Sequence, residues 1–85
     1  MSSTPVPTQR LPQLARWLRA TRVKAGLTQQ QVAEASDIFT GVYGRIERAG
    51  MIPTEPTLQR ICQVLKLDYP SLVDRVMRGE EPPED

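Results

Sequence analysis

The 85-residue sequence contains no histidine, one cysteine, one tryptophan, one phenylalanine and two tyrosines. Without histidine there is neither the commonest imidazole metal ligand nor the usual general base near neutral pH, and a lone cysteine cannot close an internal disulfide. Cys62 therefore has no catalytic partner, the acids are scattered rather than paired across a cleft, and no Gly-Lys phosphate cradle is present. These absences point away from an enzyme and offer no metal or cofactor site. No stretch approaches the roughly 20 apolar residues that span a bilayer, and no charged region leads into an apolar secretory segment. The expectation is a soluble, cytoplasmic protein. With 39% hydrophobic residues but few large rings, the chain should build one small domain from aliphatic helix packing.

What is present is basic charge. The formal net charge is only +1, but residues 79–85 hold Glu80, Glu81, Glu84 and Asp85, which leaves 11 basic against 6 acidic residues, a net of +5, in the rest. Arg10, Arg16, Arg19, Arg22 and Lys24 lie in or beside the first helical segment, where they could raise the potential felt by a phosphate backbone or simply solvate a helix face. Residues 1–9, with Pro5 and Pro7, read as a flexible arm, and 79–85, with Pro82 and Pro83 among acids, as a disordered end. The domain is expected at 10–78.

Five short helices and no strand are predicted. Leu11, Leu14, Leu18 and Val23, joined by Trp17 and Ala15, mark the first. After Gly26, Thr28 and Gln31 stand at capping-box spacing for a second helix at 29–36 that buries Val32 and either Ala33 or Ala35. Past a turn at Asp37 and Ile38, the third carries Val42, Tyr43 and Ile46 and ends near Ala49 and Gly50. Thr54 is the expected cap of the fourth, whose buried face is Leu58, Ile61, Cys62 and Leu65. The fifth starts near Tyr69 and Pro70, with Asp68 as a candidate cap, and carries Leu72, Val73, Val76 and Met77 up to Gly79.

The run Gly26-Leu27-Thr28-Gln29-Gln30-Gln31-Val32-Ala33, continued by Tyr43-Gly44-Arg45-Ile46-Glu47-Arg48 and by Pro53, Thr57, Leu58, Ile61, Cys62 and Leu65, closely resembles the Cro/repressor-type helix-turn-helix family, also called the xenobiotic-response-element-like family. The resemblance covers essentially 11–77. It implies an all-α, five-helix, lambda-repressor-like DNA-binding domain in which helices two and three form the helix-turn-helix. It further implies a sequence-specific reader of double-stranded DNA, associated with the nucleoid, acting as a dimeric transcriptional regulator, with repression as the default sign. A helix about 10–12 Å across fits the roughly 12 Å major groove. Carried over residue by residue, the resemblance places Gln29, Thr40, Gly41, Gly44 and Arg45 against DNA. Arg45 is the strongest choice, because arginine can donate bidentately to guanine. Arg48 is a phosphate candidate, with Arg19, Arg22 and Lys24 as further ones. Glu47 is expected to be structural, pairing with Arg48, Arg16 or Arg22. Cys62 takes a small buried position, with redox sensing as a minor alternative. A homodimer seam is expected on the last helix, from Leu72, Val73, Val76 and Met77, with a core-only role for most of them as the equal alternative.

Three departures fall on the working surface. Phe39 stands where the family commonly has a capping serine or threonine, so capping should pass to Thr40 or Asp37, while the ring is available to a thymine methyl or to another protein. Gly41 and Gly44 leave the recognition helix bare. Ala49 replaces a glycine, which suggests an exit turn displaced to Gly50. Together these keep a second reading open, a helix-turn-helix scaffold that binds a protein as an adaptor or anti-repressor.

Overall fold

A computed structural model describes residues 6–83. Five α-helices follow one another, α1 Leu11–Lys24, α2 Gln29–Ala35, α3 Thr40–Glu47, α4 Glu55–Leu65 and α5 Tyr69–Met77, with a 3-10 turn at Thr8–Arg10 before α1. The described residues contain no strand, and none of their helices is long and apolar enough to cross a membrane.

Local chemistry explains most of the boundaries. The Thr28 hydroxyl accepts the Gln31 amide proton at 3.0 Å while the Gln31 side chain accepts that of Thr28 at 2.8 Å, so two amides that the first turn leaves without helical partners are satisfied. Asp68 starts α5 in a similar way, its carboxylate accepting from the Ser71 amide at 3.1 Å. Thr54 precedes α4, but its hydroxyl donates to the Thr57 hydroxyl and caps no amide. At their C-terminal ends α1, α2 and α3 close alike. A residue in the left-handed region, Gly26, Asp37 or Ala49, lets the next amide reach back to Arg22, Ala33 or Arg45 respectively. Ala49 itself takes that conformation at φ 59°, so the exit turn is not displaced to Gly50.

The core is aliphatic around two aromatic residues, Tyr43 and Trp17. Leu14 and Leu18 of α1, Val32 and Ala33 of α2, Tyr43 and Ile46 of α3, Leu58, Ile61 and Cys62 of α4, and Leu72 and Val76 of α5 are all buried. Ala35 faces solvent, and Ile38 and Val42 are half-buried. Burial pushes the Cys62 thiol up to about 11, Asp68 adding to the shift, so near neutral pH it is a protonated hydrophobe and not a reactive thiolate. Val23, expected inside, is 59% exposed. At 3.6 residues per turn it lies about 140° round the helix from Leu18, whereas Arg22 lies about 40° round and continues the inward stripe.

Both ends are more ordered than their composition suggests. Val6 is 1% exposed and completes the core, so the expected flexible arm does not include 6–9; residues 1–5 lie outside the described residues. Residues 79–83, expected to be disordered, lie along α1. The Trp17 indole donates to the Glu80 carbonyl at 2.9 Å, Arg16 pairs with Glu81, and the Arg75 guanidinium stands 5.5 Å over the Trp17 ring. Glu84 and Asp85 lie outside the described residues.

Candidate nucleic-acid interface

Helices α2 and α3 are joined by residues 36–39, which sets them as an angled pair packed on α1 and α4. On α3, Tyr43, Ile46 and Glu47 turn inward, while Gly41, Arg45 and, just past the helix, Arg48 turn outward. The outward residues fall about one turn apart, so they form a single stripe, with Thr40 exposed at its start. Gln29, at the first position of α2, borders the same stripe.

Beneath it is a buried charge network. Arg22 of α1 donates from Nε to Glu47 Oε2 at 2.6 Å and from Nη2 to Oε1 at 3.1 Å, and its Nη1 donates to the Leu27 carbonyl at 2.9 Å. Gln29 Nε2 also donates to Glu47 Oε1, at 3.1 Å. The Glu47 side chain is 2% exposed. Burial alone would raise its carboxyl, but the hydrogen bonds from Arg22 and Gln29 and the neighbouring Tyr43 hydroxyl outweigh it and hold the group below its ordinary range. The Tyr43 hydroxyl has no hydrogen bond of standard geometry, and burial beside the carboxylate raises its pKa. Of the three partners expected for Glu47, the fold selects Arg22, because α1 turns that side chain inward. Arg22 is thereby removed from the phosphate candidates.

Gly44, expected on the DNA-facing surface, lies under two side chains. It is buried, and a Cβ placed there would lie 3.2 Å from Arg48 Nη1 and 3.3 Å from Gln29 Oε1. The two polar side chains close over its backbone, so Gly44 supplies clearance for them. A glycine inside a helix, costing about 1 kcal/mol relative to alanine, is the one trace of this in the sequence. Gly41 is open, with nothing within 4 Å of where a Cβ would stand. Arg19 and Lys24 are exposed on α1, where they line a groove with Trp17, Val23, Pro82 and Pro83, away from the Arg45 grouping. No side chain caps α3: Phe39 occupies the cap position, and neither Thr40 nor Asp37 replaces it. The Phe39 ring is 83% exposed.

An angled helix pair whose second member presents a polar stripe is the architecture of a helix-turn-helix DNA-binding regulator. The helix-turn-helix domain family matches residues 13–76, and the chain belongs to that family, in its xenobiotic-response-element-like branch. Among solved structures it is similar to the clp gene regulator ClgR from Corynebacterium glutamicum, with a TM-score of 0.75 and 23% identity over 82% of this chain and 74% of that one. It is also similar to two point mutants of the restriction-modification controller protein C.Esp1396I. An arginine-to-alanine mutant of that protein gives a TM-score of 0.71 at 20% identity over 82% of this chain and 93% of that one. A tyrosine-to-phenylalanine mutant gives 0.72 at 20% identity over 93% of this chain and 94% of that one. At these identities the likeness is one of fold. No curated protein matches the chain.

Proposed function

We propose that the protein binds specific double-stranded DNA as a dimeric transcriptional regulator, with repression as its default action. The observation that carries this reading is the single outward stripe of Gly41, Arg45 and Arg48 beside Gln29, on the helix that enters the major groove in this architecture. Arg45 is exposed, as a residue reaching for a guanine edge must be. Arg48, folded over Gly44 next to Gln29, suits a phosphate. Arg19 and Lys24 serve as outlying phosphate contacts if the duplex bends toward α1. The chemistry is recognition, with no catalytic step.

A dimer doubles the number of base pairs read. Leu72 and Val76 are 2% and 0% exposed within one chain, so they hold α5 to its own core and cannot form the seam expected of them. Val73, half-buried, and Met77, 45% exposed, remain available for it.

Selection of bound fragments from random double-stranded DNA by the purified chain tests the proposal. The expected result is a palindrome with half-sites about one helical turn apart. Failure to recover any motif at low salt would reject DNA readout and turn attention to the protein-binding scaffold.

A further inference from the structure

We propose that Phe39 is a specificity-determining residue that recognises a thymine through its 5-methyl group, an inference that rests on the DNA-binding reading above. Large exposed hydrophobics are few among the described residues, and Phe39 is the most exposed of them at 83%, against 59% for Val23 and 45% for Met77. It stands directly before Thr40, the first residue of α3, and the N-terminal residues of a recognition helix are those that reach base edges. The position gives up something for the ring. A serine, threonine, aspartate or asparagine there would cap the helix, whereas Phe39 leaves α3 without a side-chain cap.

The surroundings suit an apolar contact and disfavour an anionic one. Ile38 and Val42, both half-buried, flank Phe39 in a surface cavity of about 510 Å³ whose remaining lining residues are Glu34 and Asp37. Two carboxylates disfavour a phosphate there, so the ring is left for an uncharged group. Gly41, on the outward stripe, carries no side chain and has open space around it, so nothing from that position stands between the ring and the groove floor. On the major-groove edge, the apolar feature that distinguishes one base from the others is the thymine 5-methyl. Phe39 immediately precedes Thr40 and Gly41 at the N-terminal end of α3, the end whose residues reach base edges, and this placement favours a base over a protein side chain as its partner.

Replacing thymine by uracil removes that methyl and leaves base pairing intact. With the sequence recovered by selection as probe, each thymine would be replaced in turn and binding of the full chain measured. Wild type should lose affinity about fourfold at one thymine in each half-site, the value of one buried methyl group. Phe39→Ala should bind the unmodified site more weakly and be indifferent to uracil at that position, and Phe39→Leu should keep part of the discrimination. Retention of the full uracil effect in both variants, or no sensitive thymine in wild type, would overturn the inference. If a motif is recovered and depends on Arg45 but no thymine is sensitive, this inference alone fails. If no motif is recovered, the DNA-binding reading fails with it. Phe39→Ala should show a helical spectrum and melting temperature close to wild type, and if it does not, the leucine variant decides.

Discussion

The two ends of α3 are built on opposite terms. Its C-terminal end is tied down: Glu47 takes two hydrogen bonds from Arg22 and one from Gln29, and the Gly50 amide closes on the Arg45 carbonyl at 2.8 Å. Its N-terminal end has no cap, an exposed ring at Phe39 and an empty position at Gly41. Anchoring is thus concentrated at one end of a short helix, although Arg45 and Arg48 turn outward there as well. The buried end sets the angle at which the helix is presented, and the open end can then vary its contact chemistry without threatening the fold.

Removing the anchor should erase this contrast most strongly. Glu47→Ala leaves the Arg22 guanidinium largely buried without its partner, and we expect about 3 kcal/mol of lost stability in denaturant unfolding. The same group gives a pH dependence. Its native pKa lies below the ordinary value of 4.5, so its contribution is present in full above the unfolded-chain value and is lost as pH falls through the native one. The stability gap between wild type and Glu47→Gln should therefore narrow with acid below pH 4.5 and stay level above it.

At the outward stripe the effect moves from folding to binding. Arg45→Ala should cost about 1–3 kcal/mol of discrimination at one base pair, whereas Arg48→Ala should weaken all sequences alike and reduce the salt slope by about 1. Quantitative binding across single-base variants and salt concentrations separates the two.

Gly44→Ala probes the boundary between anchored and open ends. The new methyl meets the flexible tip of Arg48 and the Gln29 amide that donates to Glu47, so a gain of up to about 1 kcal/mol of helix propensity should be partly offset by strain on that hydrogen bond, while DNA affinity falls as both tips are displaced. A parallel fall in stability would show that the clearance is structural. The smallest effect is expected at Ala49→Gly. Relief of roughly 1 kcal/mol of left-handed strain, partly offset by the greater freedom of glycine in the unfolded chain, should stabilise by about 0.5 kcal/mol. Thermal melting would detect it as a small rise.

Much of the architecture is legible in the sequence because it is local. Thr28 with Gln31, Asp68 with Ser71, and the spacing of Leu58, Ile61, Cys62 and Leu65 act over a few residues, and their structural outcomes match the pattern. Where long-range geometry decides, the pattern misleads. Val23 fits an apolar series but lies on the wrong side of α1, and which of Arg16, Arg22 and Arg48 meets Glu47 is decided only by α1 turning Arg22 inward. The acidic composition of 79–83 suggests disorder because nothing local shows that Trp17 and Arg16 await it.

Helix count, the caps at Thr28 and Asp68, the helix-turn-helix register and the basic character of the domain can all be read along the chain, since periodicity and capping depend on near neighbours. Other features could not be read there: which of the candidate cations serves Glu47, which apolar residues of α5 belong to the core, and how Gln29 and Arg48 close over Gly44. Each depends on which faces of separate helices meet, and that is settled by packing across the fold.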